Sequence, residues 1–240
     1  MTGLPIFRGV FCLALWSLVV SDASAARPWL QSFDVDTAGL ATTGRGAYFV
    51  LEPGYQLVLE DGKPGTGDRL VITVLDETAN VGGVVTRVVE ERETSGGKPT
   101  EVSRNYFAID PRTGDVFYFG EDVDKYKHGK VSSHDGGWHH GSAGARFGLA
   151  MPGTPAVGAR YYQEQAPGVA MDRAEVVSVA ERAVTPAGTF DRCLVTKETS
   201  PLEPLARERK LYAHGIGLIR EGSLSLFSHG YVNKQDPGKE

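Results

Sequence analysis

The feature that most constrains the fold of this chain is a series of short alternating segments separated by glycine and proline, with no sustained helical period. Residues 55–60 (YQLVLE), 69–75 (RLVITVL) and 116–119 (VFYF) are rich in β-branched and aromatic side chains, a composition typical of strands. Turn dipeptides such as Pro53-Gly54 stand between segments of this kind. The pattern therefore predicts an all-β protein of roughly twelve strands.

Strands that follow one another through tight turns favour an antiparallel meander that closes into a barrel or a curved half-barrel. A two-sheet β-sandwich is the alternative. The strongest local prediction is a hairpin over residues 106–119, because residues 110–115 (DPRTGD) place proline and glycine where a tight turn needs them. Residues 173–181 fit a strand, with one short helix as the alternative.

The N-terminus has the features of an export signal. Residues 10–20 (VFCLALWSLVV) form an apolar run that is too short to span a bilayer, and residues 23–25 (ASA) form a small-residue cleavage site. We therefore expect a signal peptide over residues 1–25, cleaved near Ala25, and a periplasmic or secreted mature protein; an uncleaved anchor is the alternative. Residues 26–45 are predicted to be a flexible extension, 46–232 a single β domain and 233–240 a disordered tail.

Charge and cysteine content exclude several classes of protein. The net charge is −5 and the basic residues are scattered, so neither nucleic acid nor an anionic membrane surface is an expected partner. The mature chain has no long apolar segment, so no integral membrane segment is expected in it. Cys12 lies in the signal, which leaves Cys193 alone and rules out an internal disulfide. Its apolar neighbours predict a buried, inert thiol.

Several motifs resemble a family of exported bacterial β-rich proteins that has no assigned biochemical function. They are YFGED (118–122), GGW (136–138), MPGTPAVG (151–158), YQEQAPGVAMDRAEV (162–176), TPAGTFDRCL (185–194), LEP (202–204) and KLYAHGIGLI (210–219). The resemblance extends from Tyr48 to Glu221, and PAGTF followed by YAHGIGL is similar to a segment of barrel-like exported proteins. That family commonly has small or acidic residues after the tryptophan, so His139-His140 is a departure from it.

A cluster of acidic and histidine side chains is the first candidate site. Imidazole with carboxylate suits zinc, copper or nickel, and a calcium site would use Glu121 and its acidic neighbours with loop carbonyls. The alternative is that these side chains are simply solvated. The candidate metal ligands are Asp122, Asp124, His128, His134, His139 and His140.

A second candidate is a carboxylate cluster assembled from separate strands, which could perform general acid–base chemistry if the pKa values of its members differ. Its members would be Glu121, Asp122, Glu164, Asp172 and Glu175. The alternative is structural, because nearby cations can pair with these acids across strands. Those cations are Arg160, Arg173, Arg182 and Lys210.

A third candidate is an aromatic ligand site at the mouth of the barrel. Trp138 stands in a glycine-rich loop, where it would either cover the barrel end or form an exposed contact. Taken with the acidic candidates, the predicted ligand-binding residues are Trp138, Tyr118, Glu121, Asp172 and Glu175.

Familiar catalytic motifs do not occur in the sequence. It has no GxSxG, HExxH, CxxC or phosphate-binding GxxxxGK[ST] motif. A non-enzymatic binding or interaction protein is therefore the preferred function, with a small ligand, a divalent metal (zinc, copper or calcium) or another envelope component as its partner. A metal-dependent or carboxylate-based hydrolytic enzyme is the alternative.

Overall fold

The fold is an antiparallel β-meander that is nearly closed into a barrel. The computed structural model describes residues 27–62 and 66–232. Within these ranges, thirteen strands form one continuous path, two further short strands pair beside it, and a two-stranded sheet lies in the N-terminal segment. The all-β prediction and the meander closing into a barrel are therefore confirmed, and the two-sheet sandwich is not observed.

The described elements have the following bounds. They are a 3-10 turn (Thr37–Gly39), β1 (Gly44–Arg45), β2 (Val50–Leu51), β3 (Tyr55–Glu60), β4 (Asp68–Val81), β5 (Val84–Ser95), β6 (Lys98–Ile109), β7 (Val116–Lys127), β8 (Lys130–Ser133), β9 (Trp138–His139), β10 (Arg146–Met151), β11 (Arg160–Tyr162), β12 (Glu164–Gln165), β13 (Arg173–Thr185), β14 (Gly188–Thr199), β15 (Glu208–Ala213), β16 (Gly217–Glu221) and β17 (Leu224–Tyr231).

The strands follow chain order around the barrel, from β3 to β17, and the last strand pairs with the first. The seam lies at residues 160–165, where β11 pairs with β13 and β12 pairs with β10. Gln163 is the single residue between these two short strands, so one segment of chain joins both ends of the sheet path. Side chains on alternate positions of every strand therefore face a common interior.

The predicted hairpin is formed by β6 and β7. Ile109 pairs with Val116 across the turn. β7 then continues through the acidic residues after Phe119, so this run is strand rather than loop. Gly120 has φ 137°, and a Cβ there would lie 2.2 Å from the Trp138 carbonyl oxygen, so glycine allows β9 to approach β7 closely. Residues 173–181 lie within β13, so the short-helix alternative is wrong.

The N-terminal segment is attached to the barrel wall. The Leu30 backbone N–H donates to the Arg160 carbonyl at 2.9 Å, and the Phe33 ring lies 5.9 Å from the Phe117 ring, centroid to centroid. The sequence predicts that residues 26–45 are a flexible extension. Within this segment, Leu30 and Phe33 are held against the barrel by the contacts described above.

Arg87 connects the segment that precedes β2 to β4 and β5. The Arg87 Nε donates to the Thr42 carbonyl at 2.9 Å, and its Nη1 donates to the carbonyls of Leu75 and Glu77, both at 3.3 Å. These bonds satisfy a buried guanidinium with backbone acceptors. Cys193 is fully buried, as its apolar neighbours predict.

Two predicted segments lie outside the described residues. They are the signal peptide (1–25) and the C-terminal tail (233–240). In the two described ranges, no helix has the length and hydrophobicity needed to cross a bilayer.

Candidate functional site

The barrel interior contains a cavity of about 250 Å³ whose lining changes from apolar to acidic along the barrel. Val89, Glu91 and Glu93 face it in turn along β5 because successive inward positions are two residues apart. The paired strand β6 presents Asn105 opposite Val89 and Ser103 opposite Glu91. The register therefore sets the polarity of each level of the cavity.

The apolar end of the cavity is lined in part by the N-terminal segment, through Tyr48, Phe49 and Val50. Here the N-terminal segment and several strands contribute buried side chains, among them Val50, Leu57, Val74, Phe107, Met151 and Leu218. A surface of this kind can bury the apolar part of a ligand, which stabilises binding by roughly 25 cal/mol for each Å² removed from water.

The acidic end of the cavity adjoins a second space of about 260 Å³, which we call the vestibule. The cavity and the vestibule share four lining residues, and all four are carboxylates. We call this set the acidic ring: Glu101, Glu121, Glu164 and Asp172. Any molecule that passes from the vestibule into the cavity must therefore pass these side chains.

Of the described residues that line the cavity, eight are carboxylates and Lys210 is the one cation. Its Nζ lies 2.8 Å from Glu221 Oε1 and 3.3 Å from Glu198 Oε2, and 3.7 Å from Glu208 outside the lining. Burial alone would lower the pKa of Lys210, but the surrounding acidic groups, with Glu198 and Glu221 foremost, together raise this pKa well above its usual range. The ammonium is therefore charged and held by this group of acids.

The carboxylates away from Lys210 have raised pKa values. Burial raises the pKa of Glu121 to about 7, although the polar Tyr118 hydroxyl beside it opposes that rise. Burial and the neighbouring charge of Glu121 raise the pKa of Glu164 well above its usual range. Burial, and next the charge of Glu221, raise the pKa of Glu91 to about 8. These acids are thus partly or largely protonated near neutral pH.

Tyrosines connect the acidic and apolar levels of the interior. The Tyr118 hydroxyl donates to Asn105 Oδ1, and Asn105 Nδ2 donates to Ser103 Oγ at 2.9 Å. The Tyr212 hydroxyl donates to Glu198 Oε1 at 3.3 Å. This network fixes the side chains that a ligand would meet, so the cavity wall is ordered before binding.

Tyr161 has a buried hydroxyl with no hydrogen-bond partner among the described residues. It is only 2% exposed. It pairs with Ala174, which pairs with Glu198, so the register places all three on the inward face. An unpaired buried hydroxyl costs stability unless something bonds to it.

The predicted ligand-binding residues separate into two groups. Tyr118, Glu121 and Asp172 line the cavity. Glu175 instead pairs with Arg160 at 3.5 Å. For Glu175, this ion pair is the structural role that was the alternative to membership of a ligand site.

Trp138 is buried behind the acidic ring, with 6% of its surface exposed. It pairs with Glu121 between β9 and β7, so both share the inward face. Its ring lies edge-on to Tyr118 with centroids 5.4 Å apart, and its indole N–H has no hydrogen-bond partner in the described structure. The position supports a packing role rather than an exposed contact.

The predicted carboxylate cluster is partly assembled. Glu121, Glu164 and Asp172 meet in the acidic ring. Asp122 lies on the opposite face of β7, where the Tyr106 hydroxyl donates to its Oδ2 at 2.5 Å. Alternation along the strand separates Glu121 from its sequence neighbour.

The six predicted metal ligands are not brought together. His139 Nε2 lies 3.0 Å from Asp122 Oδ1, and His134 Nδ1 lies 2.8 Å from Asp124 Oδ1. These are two separate surface pairs. In residues 27–62 and 66–232, no group of three or more His, Cys, Asp or Glu side chains is arranged to hold a metal ion.

The other two histidines have separate positions. His128 stands at the β7–β8 turn with φ 54°. His140 packs its ring against Phe119 and Phe147, and burial lowers its pKa. Neither His128 nor His140 belongs to the His139–Asp122 pair or to the His134–Asp124 pair.

The double variant His134→Ala, His139→Ala should lose less than about 1 kcal/mol of stability, because exposed ion pairs contribute little. We also expect zinc to leave the melting temperature of the wild-type protein unchanged. Thermal melts with and without zinc check both expectations. A zinc-dependent rise in the wild type that disappears in the double variant would restore the metal-site hypothesis.

Comparisons with protein-family models, with curated proteins and with solved structures found no match for this chain. The family resemblance carried by the sequence motifs therefore stays a prediction. The case for a function depends on the geometry of the cavity.

Several residues of the cavity were not predicted from the sequence, among them Glu91, Glu93, Glu198 and Glu221, and Lys210 was predicted only as an ion-pair partner. The signal that could have found the first two is their position. Glu91 and Glu93 stand two and four residues after Val89 on a predicted strand, so they share its core-facing side. Charged residues at core positions of a strand indicate a polar interior.

Proposed function

We propose that this protein binds a small molecule inside its barrel. The observation that supports the proposal is a cavity with an apolar inner end and, at its other end, the acidic ring that it shares with the vestibule. Ligand sites are usually concave, largely apolar and provided with a few fixed polar groups, with volumes of roughly 300–1,000 Å³. The cavity of about 250 Å³ is slightly smaller, so it suits a small ligand.

The proposal includes a compartment. A signal peptide over residues 1–25 would deliver the mature barrel to the periplasm or to the outside of the cell. There it would meet small molecules, or another envelope component that delivers or receives them.

A carboxylate-based hydrolytic enzyme is the second candidate, and Glu121 is the observation that favours it. A carboxyl with a pKa of about 7 can donate or accept a proton near neutral pH. Binding remains the preferred function, because burial and neighbouring charge account for the raised pKa values of Glu121 and Glu164 without a substrate.

Val89→Phe should weaken ligand binding by at least about tenfold, because the larger ring would occupy the cavity at its centre. Octylamine and octanol are suitable probes, since each has a short apolar chain and one polar end. Isothermal titration calorimetry measures their affinities for the wild type and the variant.

Val85→Phe is the matched control. Val85 lies on the same strand but is 52% exposed, so the same substitution there should leave both affinities unchanged. Near-ultraviolet circular dichroism establishes that both variants are folded. Equal affinity in the wild type and a folded Val89→Phe variant would place binding outside the barrel and contradict the proposal.

A further inference from the structure

The charge of the cavity lining is strongly unbalanced. Eight carboxylates and one ammonium line it, and the ammonium of Lys210 is already bound by Glu198 and Glu221. Glu91 and Glu164 make no ion pair with any described residue. These carboxyls are partly or largely protonated near neutral pH, but a cation beside them would lower their pKa values and favour the carboxylate form. The interior therefore has acceptors available for a second cation.

The boundary between the cavity and the vestibule is acidic, as the cavity itself is. Among the residues that the structure describes, the cavity and the vestibule share just the four carboxylates of the acidic ring. Acidic walls with little water between them concentrate cations and repel anions. An anionic ligand would have to pass this ring and then lie beside buried carboxylates.

We propose that the ligand of the cavity is an organic cation with an apolar body, whose ammonium or guanidinium group lies among Glu91, Glu121 and Glu164. This inference deepens the proposed binding function and depends on it. The apolar body would occupy the end lined by Leu57, Val74 and their neighbours.

The spacing of the acids favours an organic cation over a metal ion. In the described part of the chain, no three His, Cys, Asp or Glu side chains converge on a point as metal ligands must. An ammonium has three N–H donors and a guanidinium has five, so either can bond to carboxylates that are separated from one another. Such charge-assisted hydrogen bonds are stronger than neutral ones.

The cavity itself contains acceptors that the protein leaves unpaired. The Tyr161 hydroxyl is buried without a partner among the described residues and lies on the same inward face as Glu198, but Tyr161 does not line the cavity. Glu91 and Glu164 do line it, and neither makes an ion pair with a described residue. A carboxylate oxygen can accept a hydrogen bond from an N–H group, so a ligand cation would pair with these two side chains.

Aromatic rings in the cavity wall would also attract the cationic group of a ligand. Tyr118 and Phe107 line the cavity and stack on each other with centroids 4.6 Å apart. The faces of such rings attract ammonium and guanidinium groups, most strongly away from water. The rings stand where the apolar and acidic levels meet, which is where the cationic end of a ligand would be.

A series of ligands with one body and three charges tests the inference. Octylamine, octanol and octanoate have the same alkyl chain and are respectively cationic, neutral and anionic at neutral pH. Calorimetric titration at low salt should give octylamine an affinity at least about tenfold above octanol, with octanoate weakest. Octanol or octanoate binding as tightly as octylamine overturns the charge preference but leaves the binding function in place. Failure of all three to bind overturns the binding function as well.

Two neighbouring substitutions identify the group responsible. Glu121→Gln removes an inward carboxyl and should reduce octylamine affinity toward that of octanol, with little effect on octanol. Asp122→Asn removes the adjacent carboxyl, which faces outward beside His139, and should change neither affinity. Equal loss of octylamine binding in both variants would mean that general surface charge, rather than the cavity, attracts the amine.

Discussion

Lys210→Met should destabilise the barrel by about 3–5 kcal/mol, the usual cost of removing one partner from a buried ion pair. Methionine has a side chain of similar length, so the main change is the loss of charge. The side chain of Glu198 is only 11% exposed and that of Glu221 only 22%. Without the ammonium, both carboxylates would face each other with little water between them. Urea unfolding at neutral pH measures the loss.

Two further variants make this result specific. Lys197→Met is the control, because Lys197 is exposed on the neighbouring strand β14, and it should change stability by less than about 0.5 kcal/mol. Glu221→Gln added to Lys210→Met should recover part of the loss, since it removes one of the two unpaired charges. A Lys210→Met protein as stable as the wild type, or no recovery in the double variant, would contradict a structural role for the ammonium.

The protein should become less stable as the pH rises from about 5 to about 8. Burial raises the pKa of Glu91 to about 8 and that of Glu121 to about 7, whereas carboxyls of an unfolded chain titrate near about 4.3. Between these values the folded protein binds more protons than the unfolded chain. Stability from these groups is therefore fully present below the unfolded pKa and is lost as the pH rises through the folded pKa. In that window, each of these two carboxyl groups lowers the free energy of unfolding by on the order of 1.4 kcal/mol for each pH unit of rise.

Denaturant unfolding at several pH values measures this slope. Glu91→Gln should flatten it and should make the protein more stable at the upper end of the window, because the amide cannot ionise. Glu90→Gln is the matched control: Glu90 is the next residue, and its carboxylate pairs with Arg92 at 3.1 Å. Its slope should equal that of the wild type. A wild-type stability that is constant or rises across the window would mean that the interior acids ionise without cost.

The sequence predicted the fold well because a meander is specified locally. Each hairpin needs two alternating segments and a turn, and residues 110–115 contain all the information for the turn between β6 and β7. Contacts between distant segments were not predictable in this way. The pairing of β3 with β17 and the attachment of Leu30 to β11 depend on the curvature of the whole sheet.

The candidate site could be predicted only in part. Glu121 and Asp172 were found because they stand near dense, recognisable motifs, whereas Glu198 and Glu221 stand in ordinary strands and their proximity requires closure of the barrel. The close spacing of the histidines in the sequence was misleading, because residues that are close in sequence need not have side chains that meet. His134 and His139 are close in sequence, yet each turns to a different aspartate on the outer side of β7.

The pairing of the last strand with the first has a consequence for how the chain reaches this structure. As the chain folds, each hairpin can form in turn, but β3 keeps an unpaired edge until β17 pairs with it. An open edge of this kind can pair with another copy of the chain. The chain is therefore open to aggregation until its last strand is in place, and a chain that ends before β17 keeps that edge exposed.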